Sequence, residues 1–141
     1  MQISLSEIIN KLPTLKSKNE KIDWLRKNDS VPLQIILRLT YDENIKFLIP
    51  NEKPPWKKNA YVGVEGMLYK EARRLRIFIK DCGYNDLNQI KRETLFINLL
   101  EDVNNDDAEL LCLMIAQKPF KGLPLKTLLE VFPNLFQLRL S

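Results

Sequence analysis

Asn105-Asp106-Asp107-Ala108-Glu109-Leu110-Leu111-Cys112-Leu113-Met114-Ile115-Ala116 reads as a helix that is acidic in its first turn and apolar nearly all round in its second half. Acidic groups suit the positive end of a helix, and an apolar circumference has to be covered by neighbours on every side. The stretch therefore predicts the central buried helix of an all-α protein. Upstream, a helix is predicted from about Ile90 to Val103, and before it a long amphipathic one from about Val64 to Asp81. Val64, Met67, Leu68, Ala72, Leu75, Phe78 and Ile79 form the apolar stripe of that helix, and Gly83 follows as a left-handed cap. Downstream, Lys118-Pro119-Phe120-Lys121-Gly122 is a loop, and Pro124 opens a last helix with Leu125, Leu128, Leu129 and Phe132, stopped by Pro133.

Further out, Ser4-x-x-Glu7 and Ser17-x-x-Glu20 have the form of capping boxes, in which a serine oxygen accepts an amide bond and the glutamate reaches back. The first opens a short helix ended by Pro13, and the second a helix running to about Asn28. Ser30 caps a third, with Pro32 in its first turn and Leu33, Ile36 and Leu37 inside, followed by a short turn around Ile45–Leu48. Residues 50–59 hold three prolines, which exclude a helix, and Lys53, Trp56, Lys57 and Lys58 line this extended basic loop. Trp56 either anchors the loop on the core or stacks on a base or partner. No repeat interrupts the chain. One domain over residues 1–141, compact and multi-helical, is the expectation.

Composition narrows the chemistry. The chain has no histidine, which excludes His-dependent triads and bases and most zinc sites. It has no Gly-x-x-x-x-Gly-Lys loop, no Gly-x-Gly-x-x-Gly and no Gly-x-Ser-x-Gly. With no nucleophile–base arrangement in sight, we expect no enzyme, no cofactor and no metal. Cys82 and Cys112 lie far apart and read as reduced thiols. No apolar run reaches membrane-spanning length and the start lacks a secretion pattern, so the expected setting is the cytoplasm.

The net charge of +4 is unevenly spread, with an acidic segment over residues 101–117 between basic ones. Tyr69, Arg73, Arg76 and Lys80 fall on one line at helical spacing. That line is either a phosphate-binding face or a solvated one, with Glu65 and Glu71 as partial partners.

The order of these motifs resembles the helical DNA-binding domain of ATP-dependent DNA ligases from T-even-type bacteriophages. The likeness is carried by Ile35-Ile36-Leu37-Arg38-Leu39-Thr40-Tyr41, the basic loop with Trp56, Asp107-Ala108-Glu109-Leu110-Leu111, Lys121-Gly122, and Val131-Phe132-Pro133-Asn134-Leu135-Phe136. The chain also resembles a group of small T-even-like phage proteins that bring no activity with them. The ligase likeness implies a domain that grips duplex DNA across the minor groove with little sequence preference. It places Lys118, Lys121, Gly122, Lys126 and Thr127 at the phosphate contact, with Lys57 and Lys58 second. Arg73, Arg76 and Lys80 are added from helical spacing alone. Two departures stand out: the chain lacks the Lys-x-Asp-Gly motif of a ligase, and Leu123-Pro124 follow Gly122 where ligases often carry a hydroxyl residue.

The expected function is thus a non-catalytic duplex-DNA-binding accessory protein of phage replication, repair, recombination or late transcription, acting as a monomer in the host cytoplasm. The alternative is an adaptor for a sliding clamp, a polymerase or a host factor. Its contact would be the basic helix or the apolar tail over residues 134–141, where Gln137-Leu138-x-Leu140 after Phe136 resembles clamp-docking peptides.

Overall fold

A computed structural model describes residues 3–59, 66–138 and 140. It contains α1 (Leu5–Lys11), α2 (Lys18–Lys27), α3 (Val31–Tyr41), α4 (Met67–Glu71), α5 (Gln89–Asp102), α6 (Asn105–Ile115) and α7 (Leu125–Val131). Single 3-10 turns follow α1 at Leu12–Thr14 and α7 at Leu135–Gln137. The fold is all-α, and among the described residues the β-type pairing is a lone bridge between Phe47 and Ile79.

The serines start the helices as expected. Ser4 accepts the Glu7 amide at 3.2 Å, Ser17 that of Glu20 at 3.1 Å and Ser30 that of Leu33 at 3.2 Å. Each supplies one acceptor to a helix end that would otherwise leave its first amides unpaired.

α6 stands at the centre, packed against α1, α3 and α5. Leu110, Leu111, Met114 and Ile115 are at most 3% exposed, and burial of each such side chain contributes about 1.5–3 kcal/mol. One side of α6 stays open, however: Leu113 is 46% exposed, so the helix is not covered all round.

The predicted helix over 64–81 is a different object. Val64 and Glu65 lie outside the described residues. α4 gives way to a 3-10 helix at Ala72–Phe78, which has three residues per turn. Its buried positions, Ala72, Leu75 and Phe78, are accordingly spaced by three. The segment ends where it pairs with residues 46–48. The Leu48 amide donates to the Phe78 carbonyl at 2.7 Å and the Lys80 amide to the Lys46 carbonyl at 2.8 Å. This pairing needs extended backbone at Ile79, which ends the helix there.

Two polar side chains fix the connections. Arg92, 3% exposed, donates to Gln89 Oε1 at 2.6 Å and to the Tyr84 carbonyl at 2.5 Å, holding the segment that follows the bridge. Gln117 ends α6 in the left-handed conformation, φ +53°. Its amide bonds to Met114 O at 2.9 Å and that of Lys118 to Leu113 O at 3.5 Å, the Schellman pattern usually built on glycine. The Gln117 side chain donates to the carbonyls of Leu39, Asp42 and Ile45 at 3.1, 3.2 and 3.1 Å, covering the end of α3.

Candidate nucleic-acid interface

α2 buries Leu25 and half-buries Trp24, whose indole N–H donates to the Ile8 carbonyl at 2.9 Å. α2 also packs along α7, which turns Leu128 and Val131 inward. The polar sides of the two helices therefore share one surface. Across the seam Lys18 Nζ lies 2.5 Å from Glu130 Oε1, and Arg26 donates to the Glu130 carbonyl at 3.5 Å. The loop before α7 is seated by Gly122 at φ +83°. A Cβ there would lie 2.8 Å from the nitrogen of Pro13, so the loop rests directly on the turn after α1.

These contacts join two basic segments that are remote in sequence. Residues 11–27 hold six basic and two acidic side chains, and residues 118–130 hold three basic and one acidic. Together they carry +6 in a chain whose total is +4. All nine basic side chains are exposed except Lys21, which is half-buried. A concentration of one sign of charge on one surface attracts polyanions by its summed field. Lys11, Lys16, Lys18, Lys21, Arg26 and Lys27 were not among the expected contacts. Their count was visible in the sequence, but their neighbours on α7 were not.

Of the residues placed at the contact by the ligase likeness, Lys118, Lys121 and Lys126 are exposed. Thr127 is not available: it is 6% exposed and faces the interior beside Leu128. Gly122 has a steric reason of its own, the closeness of Pro13. The loop is also clamped from within. The Tyr41 hydroxyl donates to the Leu123 carbonyl at 2.6 Å and accepts the Phe120 amide at 2.8 Å, and burial pushes its phenol up to about 12.

Lys57 and Lys58 are exposed on the proline-rich loop, where the Lys57 amide bonds to Glu101 at 2.9 Å. Trp56 is half-buried against the core, with Lys53 over its ring at 5.0 Å, so it anchors the loop. Trp24 carries Lys11 in the same way, at 4.7 Å. Lys53 reaches both oxygens of Glu109, at 2.6 and 2.7 Å. One hollow holds Lys58, Trp56 and Lys53, and the next holds Lys53, Glu109, Leu113 and Lys118. The loop lysines thus adjoin Lys118 along the open side of α6.

The stripe of Tyr69, Arg73, Arg76 and Lys80 does not form, because the 3-10 segment breaks its register. Tyr69 turns inward and donates to the Ile3 carbonyl at 2.7 Å. Arg76 is half-buried over the Tyr84 ring, at 5.8 Å, while Arg73 and Lys80 are exposed. Lys80 stands opposite Lys46 across the bridge, and Lys46 lines a hollow with Asp42 and Glu43.

The tail is used internally. Leu135 is buried, and Phe136, Leu138 and Leu140 pack against the core, leaving Gln137 exposed. Arg38 donates to the Leu138 carbonyl and to Asp42, the latter at 3.2 Å. Arg139 and Ser141 lie outside the described residues.

Burial raises both thiols, that of Cys112 to about 11, which keeps them protonated and weakly nucleophilic near neutral pH. Among the described residues no group of three His, Cys, Asp or Glu is placed to hold a metal, and no helix is long and apolar enough to cross a membrane.

The profile of a family of unknown function, DUF6433, matches residues 8–120. No curated protein and no solved structure matches the chain.

Proposed function

The chain belongs to the DUF6433 family, and we propose that it is a non-catalytic protein that binds duplex DNA through the phosphate backbone. It acts as a monomer in the cytoplasm of a phage-infected cell, with little preference for sequence. The observation that carries this reading is the surface formed by α2, the 118–122 loop and α7, where seven basic residues meet three acidic ones and Lys11 and Lys16 lie on the segment leading into α2. Duplex DNA offers one negative charge per about 1.7 Å of axis, and lysines and arginines that neutralise phosphates release condensed counterions. Phosphate contacts fix position and carry no sequence information. The surface has that character: exposed lysines on a rigid pair of packed helices. The likeness to the ligase domain agrees with this chemistry.

Fluorescence anisotropy of the protein against labelled duplexes, intact and nicked, over a salt series tests the reading. Binding that weakens linearly in log salt, by about 0.9 log units per phosphate neutralised, and that is lost in Lys16→Glu/Lys121→Glu/Lys126→Glu with helical content intact, is the expected result. Absence of binding at low salt by the folded wild-type protein refutes it.

A further inference from the structure

Glu130 is the one acidic residue on the α7 side of the basic surface, and it is not placed at random within it. Its carboxylate holds Lys18 at 2.5 Å, Arg26 reaches its carbonyl at 3.5 Å, and Lys126 stands one turn before it on the same helix. Lys18 and Glu130 are both solvent-accessible, with side chains 48% and 38% exposed, so the pair does no buried structural work. An ion pair of this kind contributes little to stability. α2 and α7 are held together by Leu25, Leu128 and Val131 instead.

We infer that Glu130 is an internal competitor for phosphate: it occupies Lys18 in the free protein and withholds it from the polyanion, setting the affinity of the surface below what its lysines would give. This rests on the proposed DNA-binding surface and names its regulating residue. An anion approaching Lys18 at the seam meets the Glu130 carboxylate already bound there. A phosphate takes Lys18 only by displacing that carboxylate, and then sits beside a like charge. Any change that neutralises or removes Glu130 frees one cation at the middle of the surface.

The test is a double-mutant cycle on duplex binding, with Asp86→Asn, an exposed position on the loop before α5, as a control of equal charge change. Glu130→Gln is expected to raise affinity roughly two- to fivefold at low salt, the range of one exposed ion pair. It also steepens the log–log salt slope by about 0.9, one further phosphate neutralised. Lys18→Ala costs more affinity in the Glu130→Gln background than in the wild-type background, so the gain from Glu130→Gln disappears once Lys18 is absent. A Glu130→Gln protein that behaves like Asp86→Asn, or a gain that survives Lys18→Ala, overturns the inference while leaving duplex binding in place. No binding by wild type or Glu130→Gln overturns both.

Discussion

Asp107 and Ser6, 101 residues apart, meet where two helix starts converge: Asp107 Oδ1 accepts the Ser6 amide at 2.9 Å. Asp107 is fully buried, and its second oxygen is held by the Asn104 side chain at 3.1 Å. It joins the first turn of α1 to the capped start of α6.

Removing that acceptor leaves the Ser6 amide buried and unpaired, so Asp107→Ala is expected to cost about 1–3 kcal/mol in urea unfolding. Burial raises the Asp107 carboxyl above its ordinary value, and the donated hydrogen bonds only partly offset this. A raised acid favours its protonated form in the folded state. Its contribution to stability is full below the ordinary carboxyl range and declines as pH rises through the raised value. Asp107→Asn keeps an acceptor and cannot titrate, so the stability of wild type relative to this variant should fall across that window. A flat difference contradicts the assignment.

Gln117 offers a comparison of two truncations. Both Gln117→Ala and Gln117→Gly remove the donor to three carbonyls, but only alanine keeps the cost of a left-handed residue. The glycine variant should be the more stable of the two by about 1 kcal/mol. Both should fall below wild type. Equal melting temperatures for the two variants would show that the left-handed cost is absent.

Tyr41→Phe strips both the Phe120 amide and the Leu123 carbonyl of their partner, at an expected cost of about 1–3 kcal/mol. The phenol is held protonated up to about 12 against an ordinary 10.0. Wild-type stability should therefore decline between those two values as pH rises, and the phenylalanine variant should lack that decline.

Gly122→Ala meets Pro13 backbone at 2.8 Å and imposes φ +83° on a residue with a Cβ. A loss of at least about 2 kcal/mol is expected in thermal unfolding, from the left-handed cost and the forced shift together. The neighbouring lysines are displaced with the loop, so duplex affinity should fall as well.

Lys126 and Thr127 adjoin in sequence but face opposite ways. Lys126→Glu should leave the melting temperature within a degree or so of wild type while lowering duplex affinity and the salt slope. Thr127→Glu should unfold the protein, because it forces a charge into a position that is only 6% exposed. Circular dichroism beside anisotropy separates the two outcomes.

Much of this architecture is local and was legible. Ser4, Ser17 and Ser30 announce their helices because a cap acts over three residues, and the acidic start of α6 is equally local. What escaped depends on remote partners. The end of the Ala72–Phe78 segment is fixed by its pairing with residues 46–48, a remote partner that nothing inside the segment reveals. Thr127 and Tyr69 look like surface residues until α7 and α4 are seated. The basic seam is the strongest case, since Lys18 and Glu130 are 112 residues apart. The sequence shows two modest clusters of charge. Only the docking of α2 on α7 makes them one surface.

The two lysines seated on tryptophans give the molecule its own optical gauge. An indole under an ammonium group emits according to where that charge rests, and Trp24 and Trp56 lie beneath Lys11 and Lys53 in different parts of the fold. A ligand that draws Lys11 away dims or brightens Trp24 alone, and one that draws Lys53 away alters Trp56 alone. With single Trp→Phe variants, unlabelled protein and unlabelled ligand, the colour and intensity of emission report which end of the molecule has been touched.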